Sequence, residues 1–397
     1  MLSLKTFITE SNEDANKQLS HLDHPYQQHV IYGLSGARAA VKNLKDTHEF
    51  FKTGESNKVA TSRKVDGGVS VILSKKHGQF SVATKSAFNK NPKINYTAAD
   101  VDKNHGHAQG LAATLKHVLK HGKDLVNNNH TVQGDLLYTH DSNNPTPSEP
   151  EIQDNKVSVT PNRMTISHSG APKSMGIALH TTYDDEGVAR SGVRPIAVNY
   201  SKDVFVADTS FHPVTSHYSE TARKQAEENL DKAQELINNN PDHFRLSDEH
   251  KEHMLTYMNA LRTEDGKLKK PTIEGYTNHL SNIRDKEVAK VKTEKSKAAK
   301  VNHYNKLIDD VKYNKPKYQS NFDLHDHLNN VTEALSTAIS KNKASNFNTE
   351  IDGQKSSDEG VVVSNAKHGN ILFKIVPNKV ASALRFNPRF GRKVTQA

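Results

Sequence analysis

The 397-residue chain has no cysteine and no tryptophan, only five methionines, and aromatic residues at 6%. The missing thiols exclude disulfides, thiol nucleophiles and cysteine-type zinc sites. Long apolar runs are missing too: none is long enough to span a bilayer and no secretory h-region opens the chain, so a cytoplasmic protein without a membrane partner is expected. With 34% hydrophobic residues and a mean hydropathy of −0.77, the chain is polar. Positive charge, by contrast, is plentiful. There are 54 Lys and Arg against 45 Asp and Glu, a net charge of +9 and a pI near 9.2, a balance that fits a polyanion such as a phosphate backbone.

Hydrophobic periodicity divides the chain into four stretches. Residues 1–50 read as helical, through MLSLKTFITE and HVIYGLSGARAAVKNL. Residues 51–215 read mainly as strands. In them VATSRKVDGGVSVIL and FSVATKSAF form an expected hairpin about KKHGQ, GLAATLKHVLKHGKDLV is a helix, and TVQGDLLYT, KVSVTPNRMTIS, GIALHTTY, RPIAVNY and DVFVAD are strands. Residues 216–345 turn helical, through SETARKQAEENLDKAQELINNN, DEHKEHMLTYMNALRTE, IRDKEVAKVKTEKSKAAKVNHYNKLIDDV and NFDLHDHLNNVTEALSTAISK. Residues 346–397 return to strands and end in a basic tail. The fold class is α+β, with an all-helical segment inserted into a strand-rich core.

The most informative residues are Lys64-Val65-Asp66-Gly67, at the end of a predicted strand. A lysine amine can attack the α-phosphate of a nucleotide and hold it as a phosphoramidate. It must be deprotonated to do so, which requires nearby cationic groups or metal ions. The same four residues are also an ordinary turn signal. Four further segments follow in order, each on a strand-like apolar run: Gly134-Asp135-Leu136-Leu137, GIALHTTYD ending at Tyr183-Asp184, Asp358-Glu359-Gly360-Val361-Val362, and Phe373-Lys374-Ile375-Val376.

This succession resembles the covalent nucleotidyltransferase superfamily of ATP-dependent DNA ligases, RNA ligases and capping enzymes, over about residues 55–210 and 345–390. The resemblance implies a nucleotidyltransferase core of ATP-grasp-like antiparallel sheets, with ATP and Mg²⁺ (or Mn²⁺) as cofactors. It implies that Lys64 is the nucleophile, that Asp66 is a polar partner at its turn, and that Gly67 lets the backbone approach the nucleotide. Asp135 and Glu359 would hold the metal or grip the ribose, Lys374 would face the charge developing on the α-phosphate, and Arg63, Lys85 and Tyr183 would contact the nucleotide. The sequence departs from the family at Asp135, where Glu is usual, and at the final strand, where Leu372 and Val376 flank a single lysine. Val69 holds the place where DNA ligases carry an arginine, and 23 residues follow Lys374, too few for an OB-fold. Both features are more similar to phage-type RNA ligases. The expectation is a monomeric ATP-dependent RNA ligase, in a host cytoplasm if phage-encoded, joining 5′-phosphate and 3′-hydroxyl ends through lysyl-AMP. A DNA ligase is the first alternative, and a noncatalytic nucleic-acid-binding protein of the same fold the second.

Three other features read two ways. The lysines from Lys286 to Lys300 form either a solvated helix face or a face that holds nucleic acid. Arg385, Arg389 and Arg392, interleaved with Phe386 and Phe390, form either a solvated tail or an additional phosphate contact. His105 with His107, His250 with His253, and Asp323, His325, Asp326 and His327 have metal-like spacings, but none supplies three ligands on one face, so exposed histidines are expected.

Overall fold

The structure, a computed structural model, describes residues 22–386 apart from 143–145, 147, 185–186, 193–196, 200, 352 and 357. MLSLKTFITE, most of RPIAVNY and the tail residues Arg389, Phe390 and Arg392 lie outside the described residues. The first helix among the described residues, α1 (Gln28–Thr53), runs through HVIYGLSGARAAVKNL.

Residues 56–213 and 339–374 pack into one unit. It begins with β1 (Val59–Lys64), then β2 (Ser70–Lys76) and β3 (Gln79–Ala83). The two-residue turn His77-Gly78, with φ of 50° and 79°, joins the last two, because positive φ at both positions matches the right-handed twist of the strands. β4 (Ile94–Asn95), α2 (Ala98–His105) and α3 (Gln109–His121) follow. Next come β5 (His130–Thr139), β6 (Glu151–Gln153), β7 (Lys156–Val159) and β8 (Thr165–Ser169). β9 (Met175–Tyr183), β10 (Ala189–Ser191) and β11 (Val204–Val206) close this part. After the helical segment come β12 (Asn348–Ile351), β13 (Gln354–Ser356), β14 (Gly360–Asn365) and β15 (Ile371–Ile375).

Among the described residues these strands form three sheets: β1-β14-β15; β10-β9-β5-β2-β3-β4, with β11 beside β9; and β13-β12-β8-β7-β6. The run expected to continue from Lys64 into Val71 is therefore split. Asp66-Gly67-Gly68 breaks the ladder, since turn-forming residues cannot sustain strand pairing, and β1 pairs antiparallel with β14 instead of extending the β2–β3 hairpin. In the large sheet, Val71, Leu73, Val132, Leu136, Ile177 and Leu179 share one face and pack under Val101, Leu115 and Val118 of α2 and α3. The opposite face carries Ile72 and Tyr183, packed with Ala83 and Phe88. Strand alternation thus gives the sheet one fully apolar face and one on which polar groups of β2 and β5 stand.

Residues 23–55, 214–338 and the described residues from 375 on form a second, helical unit, so α1 belongs with the inserted segment instead of standing as a separate N-terminal region. Its other helices are α4 (Glu220–Asn239), α5 (Asp248–Ala260), α6 (Ile273–Ala289), α7 (Glu294–Tyr313), α8 (Lys315–Ile339) and α9 (Asn378–Phe386). Ser219, Ser247, Thr272 and Thr293 each cap the following helix by accepting a backbone N–H three residues on, the usual way an orphan first-turn donor is satisfied. The Thr293 cap splits the single helix expected over IRDKEVAKVKTEKSKAAKVNHYNKLIDDV, and α6 begins at Ile273, before the expected start at Ile283. Met254, Tyr257, Tyr276, Leu280, Ile308, Val311, Tyr318 and Phe322 make its core. His105 in the first unit, and His250 and His325 in the second, are buried, against the expected exposure. Each lies on the inward side of its helix, where residue polarity alone misread the face.

Candidate active site around Lys64

The site grows from the β1–β14 ladder. Lys64 ends β1 opposite Gly360, which brings Glu359 level with it, and Lys64 Nζ lies 2.5 Å from Glu359 Oε2. Alternation turns the preceding residue of each pair the other way: Arg63 and Asp358 form their own ion pair, 4% and 6% exposed. Arg63 also donates to the Asn342 carbonyl (3.1 Å), Asn342 Oδ1 (3.0 Å) and the Lys343 carbonyl (2.6 Å), and its guanidinium stands 5.3 Å from the Phe211 ring. The nucleotide contact expected of Arg63 is corrected on this ground. Its two terminal nitrogens are occupied by protein partners, on the side of the strand away from the Lys64 amine, and the pair anchors β1 to the segment that leads into β14.

Burial pushes the Glu359 carboxyl above the usual carboxylate range; the positive charges of Lys64 and Lys374 oppose this and Asp66 reinforces it. Lys374, on β15 beside β14, therefore acts on the same carboxylate as Lys64. Asp66 accepts a hydrogen bond from the Asn162 side chain, between β7 and β8. Gly67 lies flush on β5: a Cβ there would stand 2.6 Å from Asp135 Cβ and 2.9 Å from the Leu136 carbonyl oxygen, so only glycine permits this approach. The neighbouring Gly68 N–H donates to the same Leu136 carbonyl at 2.8 Å.

Asp135 consequently sits directly beneath the Asp66-Gly67-Gly68 turn. Burial works against its charge, but contacts from His180 and Ser70 and the field of Lys64 outweigh burial and hold the carboxyl below its usual range. His180 Nε2 is 3.6 Å from Asp135 Oδ1. The pairing of β5 with β9 slips between Gln133 and Gly134, whose partners are Thr181 and Leu179, so His180 is the extra residue of a β-bulge. Bulges re-aim side chains, and this one sets an imidazole beside Asp135. His180, Ser70 and Gln133 were not anticipated from sequence. A histidine inside the apolar strand GIALHTTY was the available signal, but nothing in it announces a bulge.

Tyr183 does not offer an open ring face. It is 7% exposed, packs 5.6 Å from Phe88 and donates its hydroxyl to Gln133 Oε1 at 2.6 Å, while Gln133 Nε2 donates to Ser70 Oγ at 3.0 Å. Where a nucleotide contact was expected, Tyr183 supports the polar face of the sheet from within a hydrophobic cluster. Lys85 is exposed, in a 3₁₀ turn over Lys85–Phe88 capped by Thr84. Among the described residues no group of three or more histidines or carboxylates is arranged to hold a metal ion, and no helix is long and apolar enough to cross a membrane.

The family of unknown function DUF6267 matches residues 16–389, and the chain belongs to that family. No curated protein and no solved structure matches it.

Proposed function

We propose that the chain is an ATP-dependent RNA ligase built on a nucleotidyltransferase core, with Lys64 as the residue that carries AMP. The observation that supports this reading most is the convergence of residues distant in sequence at the end of β1: Lys64 paired with Glu359 at 2.5 Å, Lys374 acting on the same carboxylate, and Asp135 beneath the turn within the field of Lys64. A lysine with one buried carboxylate partner and a second lysine near it suits a nucleophile better than a surface ion pair does.

In this reading the deprotonated Lys64 amine attacks the α-phosphorus of ATP. A P–N bond forms, the bond to the oxygen bridging to the β-phosphate breaks, and pyrophosphate leaves with that electron pair. An oxygen of a 5′-phosphate then displaces the lysine from AMP, making a P–O–P linkage. Finally a 3′-hydroxyl, losing its proton, attacks the 5′-phosphate and AMP departs. Lys374 faces the charge that builds on the α-phosphate, and Glu359 orients the lysine amine. Asp135 and Glu359 supply the hard oxygen donors that would hold Mg²⁺ or Mn²⁺, an ion that neutralises phosphate charge and is typically held by one or two carboxylates with phosphate and water completing its shell.

Intact-mass measurement after incubation with ATP and magnesium should show the gain of one AMP, absent with GTP and absent in Lys64→Ala. Labelled protein should then seal a nicked RNA strand in preference to DNA. No mass gain with any divalent cation, or equal gain in Lys64→Ala, rejects the reading.

A further inference from the structure

Three of the six lysines from Lys286 to Lys300 are neutralised by carboxylates of α6 and α7. Lys290 and Lys300 both pair with Glu287, at 2.5 and 3.4 Å, and Lys297 pairs with Glu294 at 2.8 Å. Uncompensated charge continues from this stretch along α7 to the start of α8. Lys295, Lys306, Lys312 and Lys315 are exposed and form no ion pair among the described residues. Amid them stands Tyr313, 86% exposed, the most exposed large apolar side chain among the described residues.

Helix geometry arranges these groups. At 3.6 residues per turn, positions 295 and 313 are five whole turns apart and share one side of α7, and position 306 lies close to the same line. The opposite side is closed, with Tyr304, Ile308 and Val311 buried. The outward stripe from Lys295 through Asn302 and Lys306 to Tyr313 therefore runs about 27 Å at 1.5 Å per residue, with Lys312 and Lys315 flanking its end. Asp309 also lies on this side, whereas Asp310 is engaged by Tyr318 and His250. The balance is positive, and the stripe ends in a bare aromatic ring.

We propose that this stripe of α7 and the start of α8 binds a single-stranded polynucleotide, with Tyr313 stacking on a base and the lysines neutralising phosphates. An exposed ring among unpaired lysines matches the two recurring components of single-strand recognition, a stacking platform and a basic track. A duplex would leave the ring without a partner, since its bases are already stacked. The proposal rests on the ligase reading only for the biological use of the strand.

The test is fluorescence anisotropy of labelled single-stranded RNA and DNA 20-mers of one sequence with the full chain, and with Tyr313→Ala, Tyr313→Phe and Lys306→Gln/Lys312→Gln/Lys315→Gln, after thermal melts show each to be folded. Tyr313→Ala should weaken binding about tenfold, the order expected for one lost stacking ring, and Tyr313→Phe should bind within about twofold of wild type because the π-face remains. The triple lysine variant should reduce the slope of log affinity against log salt by roughly two, about 0.7 per phosphate contact for a single strand. A stronger effect with RNA than with DNA assigns the physiological strand, and equal effects leave the site general for single strands. Tyr313→Ala binding like wild type, Tyr313→Phe failing as Ala does, or a duplex competing equally, each overturns the proposal. Formation of the Lys64 adduct is scored separately: strand binding lost in Tyr313→Ala without any adduct in wild type would reject the ligase reading and leave this surface standing.

Discussion

In the proposed ligase, function and stability are opposed at a single residue, Glu359. Burial raises its carboxyl above the usual range, so the contribution of this group to stability is fully present below the unfolded carboxylate pKa and is lost as pH rises through the raised folded value. At neutral pH the charged form is a liability that Lys64 offsets. Glu359→Gln should therefore unfold at the same or a higher temperature at pH 7.5, yet lose adduct formation by at least about 100-fold, as removal of a preorganised group at a phosphate site does. Scanning calorimetry beside intact-mass labelling decides it: a drop of several degrees with normal labelling would make Glu359 a structural residue. Arg63 and Tyr183 illustrate the converse, since residue type made both plausible nucleotide ligands and only their partners, Asp358 and Gln133, show where each is directed.

At the level of elements, what matters is how strands of two sheets bring a turn against a strand. The Asp66-Gly67-Gly68 segment lies on β5 so closely that a methyl group at Gly67 would collide with Asp135 and with the Leu136 carbonyl. Gly67→Ala must lift the turn by a few tenths of an ångström or more. Because displacement of a reacting group by about 1 Å can cost roughly 100-fold in rate, the rate of AMP loading should fall by that order, while the large sheet, whose cluster lies on its other face, keeps its melting transition within a few degrees. Loading at the wild-type rate would show that the turn carries no positional demand. The strands and helices themselves were legible from periodicity 2 and 3.6, as in TVQGDLLYT and NFDLHDHLNN, because that signal is local. The β9 bulge at His180 and the pairing of β1 with β14 outside the β2–β3 hairpin were not, because each depends on a strand distant in the chain.

For the whole molecule, pH exposes the difference between the two units. His29 and His325, in the helical unit, are fully buried, and burial lowers their pKa to about 4 and about 3, the latter helped by the charges of His29 and Arg262. Unfolding restores an ordinary value near 6.5. The unfolded chain then binds more protons than the folded one between about pH 6.5 and pH 4, so stability is present above pH 6.5 and is lost as pH falls through that window. Asp358 and Glu359 act with the opposite sign, their raised values favouring the folded state on acidification. Comparison within a variant isolates the histidines: the melting temperature of wild type should fall between pH 7 and pH 4, and His325→Leu, which cannot be protonated, should fall distinctly less. Parallel curves would assign the acid loss to other groups.

The sequence by itself determined the α+β class, the helical character of residues 216–338, the turn after Lys64 and the charge that suits a polyanion, because periodicity, capping residues, glycine and net charge act over a few residues or not at all through space. It also marked Lys64, Asp135, Glu359 and Lys374 by their surroundings in the chain. Tertiary structure alone decided that Lys64 meets Glu359 and that Arg63 is withdrawn from the site. It decided as well that His180 joins Asp135 and that Tyr313 stands bare beside exposed lysines of α7 and α8. Strand pairing, the bulge and the packing of the helices set these outcomes. Each depends on which groups long stretches of chain bring within a few ångströms, and burial then sets the sign and strength of their charges.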